Sequence, residues 1–333
     1  MGINVAYGLS RRQLLKVLGT SLSLPALGGV LRGQGPASRP AAPHIGIQMA
    51  GFNVYDEGPE HVVKFLRETC RANALHVYAM HAHRYAGFDF ENPYDIVQGN
   101  FEHWADHGVP KPTRTHADII SSVYYRSDPK HYAMPGQAPR EDDLIYGGRD
   151  VYDDLAEPAG RAGMKLYARM CDWGNVYPFV DGMDEWTIKL ASGKRIPFVC
   201  VNNPEYRAWM RAFMTDLFAP RPHLAGLNYG FEHSTPLIGA IAWGKDDPDC
   251  FCEHCLAKAE TLGGEPDRAR RGFEALKAWN ETVREGKPAD GHFVTLWRTL
   301  REHPDLFVWD RLKTTGLHEL CQEIHDAVKA VDP

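Results

Sequence analysis

Short β-leaning runs alternate with helical patterns along the first two-thirds of the chain, and this alternation constrains the fold more than any other feature. The runs are residues 44–50 (HIGIQMA), 74–80 (ALHVYAM), 164–170 (MKLYARM) and 224–229 (LAGLNY). After Pro59, which suits a first helical turn, Val62, Phe65, Leu66, Thr69 and Cys70 recur at helical spacing. Residues 150–162 carry a second helical pattern. Asn203-Pro204 supplies an N-cap and a first-turn proline for a third, whose buried face reads Tyr206, Met210, Phe213, Met214 and Leu217. Strand–helix repeats join their strands by crossovers, so the strands are expected to pair in parallel with right-handed connections. Polar and aromatic residues gather after each run, where a (β/α)8 barrel builds its site. A doubly wound sheet also fits the alternation, but no G-x-G-x-x-G or P-loop follows any strand. The expected fold class is α/β of the (β/α)8 TIM-barrel type.

Beyond Cys255 the pattern is helical. Leu317, Leu320, Cys321, Ile324, Val328 and Val331 form an apolar stripe, and HFVTLW and DLFVWDRL lie inside longer helical patterns. A barrel needs eight strands and four are legible. Val331-Asp332-Pro333 follows a helix directly, where a fifth strand is expected. The domain at 43–333 therefore reads as the front half of a barrel. The polar stretch 86–150, rich in Pro, Asp, His and Tyr, is long enough that a functional role is expected of it.

Residues 1–42 read as an address segment. Arg11-Arg12 precedes a mildly apolar stretch at 17–31 and a breaker-rich GQGPASRP, the pattern of a twin-arginine export signal. A periplasmic or extracellular location is expected, and export after folding suits a protein loaded with metal in the cytoplasm. The net charge of −6 gives no attraction to nucleic acid or anionic lipid. No apolar run reaches the roughly 20 residues that span a bilayer. Fourteen Tyr, fourteen Phe and eight Trp offer flat surface for stacking a sugar.

Seven cysteines is an odd number, and three of them fall in Cys250-Phe251-Cys252-Glu253-His254-Cys255. This C-x-C-x-x-C spacing fits a metal better than a disulfide framework. Three thiolates cover one side of a tetrahedral ion, and a fourth ligand must come from elsewhere. All-thiolate ligation with no open position points to structural zinc, Zn2+. His254 suits ligation less, because its neighbours direct three sulfurs inward. Cys70 and Cys321 fall on helix faces and read as core residues. Cys171 and Cys200 are left as candidates for the fourth ligand.

The segment RIPFVCVNNPEYR at 195–207 resembles the stretch ahead of the third helix in glycoside hydrolase family 42 β-galactosidases. The C-x-C-x-x-C after the fourth strand resembles the same family, and a looser group of barrel glycosidases shares it. The resemblance covers 44–333, the first half of a catalytic barrel. It implies Cys200, Cys250, Cys252 and Cys255 as the zinc set, and Glu232, ending the fourth strand, as general acid/base. Glycosidic cleavage needs such an acid to protonate the leaving oxygen. Phe231 and Trp243 are expected to supply apolar surroundings that raise its pKa. The chain departs from the family in carrying Phe231 where the family has Asn, and in a longer gap from Glu232 to the cysteines. No counterpart of the family's nucleophile glutamate, which follows the seventh strand, is legible after Cys255.

Around Glu232 the expected substrate contacts are His81 and His83 for sugar hydroxyls and Asp172 for a further hydroxyl. Trp173 is expected to stack on a ring face, and Asn228 and His233 to flank the acid. The functional expectation is an exported glycoside hydrolase-like protein acting on a β-linked glycoside. The alternatives are a non-catalytic carbohydrate-binding protein or pseudoenzyme without the nucleophile, and a metallohydrolase built on His81 and His83. A half-barrel exposes a large apolar face, which leaves open a homo-oligomer that covers it.

Overall fold

Four strands paired in parallel and in chain order, with helices in the segments that connect them, organise the molecule. The computed structural model describes residues 43–82, 121–139, 149–171, 180–230, 235–285 and 291–331. In chain order the elements are β1 (Gly46–Met49), α1 (Gly51–Glu57), α2 (Pro59–Glu68), β2 (Ala74–Tyr78), β3 (Met80–Ala82), β4 (Ser121–Val123), α3 (Val151–Arg161) and β5 (Lys165–Cys171). The hairpin β6 (Thr187–Lys189) and β7 (Arg195–Val199) follows, then α4 (Pro204–Phe218) and β8 (Leu224–Gly230). The remaining helices are α5 (Pro236–Ala242), α6 (Glu253–Thr261), α7 (Pro266–Arg284), α8 (His292–Glu302) and α9 (Asp305–Val331).

The fold is α/β, with a parallel four-stranded sheet in the order β1-β2-β5-β8. Local chemistry sets the helix starts. The Asp150 side chain accepts from the Tyr152 and Asp153 amides at the head of α3, and Asn203 accepts from the Glu205 and Tyr206 amides ahead of Pro204 in α4. The run at 74–80 is divided: β2 stops at Tyr78, and Met80–Ala82 leaves the sheet to pair antiparallel with β4.

Two hydrophobic cores result. The first lies under the sheet, where Leu75, Val77, Leu166, Ala168 and Met170 meet Val62, Leu66, Leu155, Met210, Phe213 and Leu217. The second gathers Cys200, Phe251, Cys252, Cys255, Phe273, Leu306 and Trp309. Helix α9 belongs to both, with Leu306, Trp309 and Leu312 in the second and Leu317, Leu320 and Ile324 in the first. Cys321, Val328 and Val331 on its stripe are half-buried.

A strap at 125–138 is tied to α4 through Asp216. That carboxylate accepts from the Tyr132 and Tyr125 hydroxyls at 2.8 and 3.1 Å and from the Asp128 amide at 2.9 Å. Beside it the buried Arg221 guanidinium pairs with Asp150. Burial first, then the Asp216 charge, holds the Tyr132 hydroxyl protonated.

Three sequence expectations need correction. Phe65 is 43% exposed, and Cys70 is exposed because α2 ends at Glu68 with Thr69 as its cap, one residue short of Cys70. Trp243 is 78% exposed, since it lies at the C-terminal cap of α5 and not against a core. The arginine pair of the address segment lies outside the described residues. Among the described residues no helix is long and apolar enough to cross a membrane.

Candidate metal centre

Two stretches far apart in sequence bring four thiols together. The hairpin strand β7 delivers Cys200, whose amide donates to the Trp186 carbonyl at 2.8 Å and whose carbonyl accepts from the Asn203 amide at 2.9 Å. On the other side Leu190 bridges Asp249, and the Phe251 amide donates to the Lys189 carbonyl at 2.6 Å, so this stretch lies along β6. Cys252 then caps α6 and Cys255 sits in its first turn. Phe251 turns inward and stacks on Trp309 with centroids 4.8 Å apart.

The Sγ atoms of Cys200, Cys250, Cys252 and Cys255 all lie within 4.8 Å of one another, and Cys200 is 3.5 Å from both Cys252 and Cys255. A tetrahedral zinc with Zn–S bonds of about 2.3 Å has S···S edges of about 3.8 Å. The spacing and the donor set therefore fit a tetrahedral, thiophilic cation. Of the two candidates for a fourth ligand, Cys200 joins the cluster, whereas Cys171 closes β5 in the parallel sheet.

With protons alone, the sulfurs compete for charge. Hydrogen bonding from Cys200 and its neighbours draws Cys252 towards the thiolate. Cys200 is pushed up by its hydrogen bonds with Cys250, Cys252 and Cys255, and by burial. Cys255 is lowered by Cys200 but raised more by Cys250, Cys252 and burial. A cation replaces those shared protons and lets all four ionise. The N-terminal end of α6 adds a favourable dipole for anionic sulfur. A cavity of about 200 Å³ lined by Phe198, Cys250, Trp309 and Lys313 opens beside the cluster, and Cys250 is half-buried where the other three are buried.

The expected substrate contacts are only partly placed. Glu232, His233 and Phe231 lie outside the described residues, as do His83, Asp172 and Trp173. His81 sits in β3 opposite Ser122. Asn228 lies in β8, and its amide is already engaged: Oδ1 accepts from Arg169 Nη1 at 2.7 Å and Nδ2 meets His76 Nδ1 at 2.8 Å. His76 Nε2 in turn lies 3.1 Å from His44 Nε2. With the Asn228 amide oriented by Arg169, His76 carries its proton on Nε2 and donates to His44. Burial, then the nearby His44 and Arg169, lower the His76 pKa. A Cβ on Gly46 would collide with the His76 ring, so this close approach requires glycine.

Arg169 and His76 were not identified as site residues from sequence. Their signal is a polar residue interrupting an apolar strand, and it gains meaning only through register, which sets Arg169 beside both Tyr78 and Asn228. Arg169 is 1% exposed, with its guanidinium over the Tyr78 ring at 5.0 Å.

Compared with protein-family models, with curated proteins and with solved structures, the chain matches none.

Proposed function

We propose that this chain is an exported, zinc-stabilised protein of glycoside-hydrolase type, resembling family 42, with Glu232 as general acid/base towards a β-linked glycoside. The observation that carries the reading is the arrival of Cys200 beside Cys250, Cys252 and Cys255, the set that the family resemblance implies. The zinc is structural, clamping the β6–β7 hairpin to the head of α6.

The sheet order supports the (β/α)8 type over the doubly wound alternative. A doubly wound sheet reverses its strand order at a switch point, whereas β1-β2-β5-β8 runs in one direction. In this reading the sheet is one wall of a barrel, with His76, Arg169 and Asn228 turned to its interior. Glu232 follows β8 by two residues, at the carboxyl end where barrel enzymes keep their chemistry. There it donates a proton to the glycosidic oxygen and later takes one from water; a retaining partner carboxylate belongs about 5 Å away. No partner residue is assigned.

The test is a panel of aryl β-glycosides with the Glu232→Gln variant. Turnover that falls by about 10²–10⁴-fold in the variant, with metal content unchanged, supports the acid/base role. Oligosaccharide binding without turnover in the unsubstituted protein moves the assignment to a carbohydrate-binding protein. Neither binding nor turnover removes the carbohydrate reading.

A further inference from the structure

The side chains just outside the four sulfurs form a connected chain of hydrogen bonds and ion pairs. Asn202 Nδ2 donates to Cys255 Sγ at 3.3 Å. Its Oδ1 accepts from Lys258 Nζ at 3.1 Å, and Lys258 donates to Glu319 of α9 at 2.7 Å. Arg207 closes the chain, donating to Glu319 at 2.9 Å and pairing with Glu323 at 3.0 Å. Helix α9 also presses on Asn202 directly: a Cβ added at Gly316 would strike its Oδ1 and Cγ. Gly316 lies between Leu312, in the core that contains the cysteines, and Leu317, in the core under the sheet.

We propose that Asn202 is an outer-sphere donor to the metal-bound Cys255 thiolate, held in place by α9, so that metal retention and the docking of α9 depend on one another. The inference rests on the metal-centre reading above. Four thiolates around a dication leave net negative charge on sulfur, and an N–H donor drains that charge and fixes the ligand's orientation. The amide is oriented because Lys258 occupies its oxygen, leaving its nitrogen for sulfur. Coupling is reciprocal: what α9 does for the metal, the metal does for α9.

The discriminating variant is Asn202→Asp. It keeps the size that packs against Gly316 and the oxygen that meets Lys258, but replaces the donor facing Cys255 with an acceptor. Zinc release from the unsubstituted protein and the variant is followed with a chromogenic chelator. The expected result is one equivalent of zinc in both at the start and release about 10–100-fold faster from Asn202→Asp. Gly316→Ala, which touches no ligand, is expected to speed release as well. Removing zinc from the unsubstituted protein should raise amide exchange along α9 around Gly316 and Glu319. Equal release rates for Asn202→Asp and the unsubstituted protein overturn the coupling while leaving the metal centre intact. An unsubstituted protein that carries no zinc overturns the metal centre and this inference with it.

Discussion

The core under the sheet and the core around the cysteines solve the same problem with different chemistry. Beneath the sheet, apolar strand faces meet α2, α3 and α4, and the buried charges close on partners within the chain, Arg221 with Asp150 and Asp216 with two tyrosine hydroxyls. Around the cysteines the strands are short, the helices α6 to α8 lean on Phe251, Leu306 and Trp309, and four thiols face one another. The first core closes on its own side chains; the second gathers four thiols within metal-ligating distance of one another. The comparison teaches that one chain can build one layer on apolar packing and paired charges and another around a thiol cluster. The proposed zinc would make the second layer's stability conditional on metal. One long helix, α9, reports on both.

The largest effect is expected from Cys252→Ser. Losing one thiolate removes the ion, and structural zinc sites contribute folding free energy directly. Helices α6 to α8 should lose hydrogen-exchange protection while β2 and β5 keep theirs, and the thermal transition should split. A single transition at the original temperature, with full protection, would erase the distinction between the cores.

The converse break is Asp150→Ala. It strands the Arg221 guanidinium, which is 3% exposed, and should cost about 3–5 kcal/mol in a denaturant melt. Its zinc content should stay unchanged. Loss of zinc there would mean that the cores are not separable.

A sharper comparison uses α9 alone. Leu306 and Leu320 are both 0% exposed, one in each core, and truncating either to Ala should cost about 2–5 kcal/mol. Leu306→Ala should accelerate zinc release and Leu320→Ala should leave it slower than that variant.

The smallest effect is a pH dependence confined to the sheet. The folded His76 pKa lies below its ordinary 6.5, so the unfolded chain binds the proton first as pH falls. The stability linked to His76 is whole above pH 6.5 and declines below it, towards the lowered folded pKa. His44, Tyr167 and Arg169 are the groups around the ring. A His76→Gln variant should show a flatter stability profile between pH 7 and 5. An unchanged slope would assign the effect to other groups.

These contrasts also mark what the sequence could say. The parallel strands were legible because apolar runs alternate with helical patterns, two of which announce their starts through the caps Asp150 and Asn203. Three of the four clustered cysteines were legible from spacing alone. The fourth was not, since Cys171 and Cys200 are equivalent until the β6–β7 hairpin is folded, and three-residue strands such as β6 carry too little alternation to announce it. Asn202 was hidden for the same reason: its partners, Cys255, Lys258 and Gly316, are assembled only in three dimensions. Cys70 misled because helical spacing continued past the point where α2 stops. Glu232 owes its assignment to the resemblance and to its position after β8.

The central claim, that four thiols hold one ion and the helical layer with it, is tested most directly by titrating metal-free protein with cobalt(II). The expected result is the intense visible absorption of a tetrahedral tetrathiolate site, saturating at one equivalent, with exchange protection returning to α6–α8 over the same range. Absence of that absorption, or its appearance without any change in the helices, would contradict it.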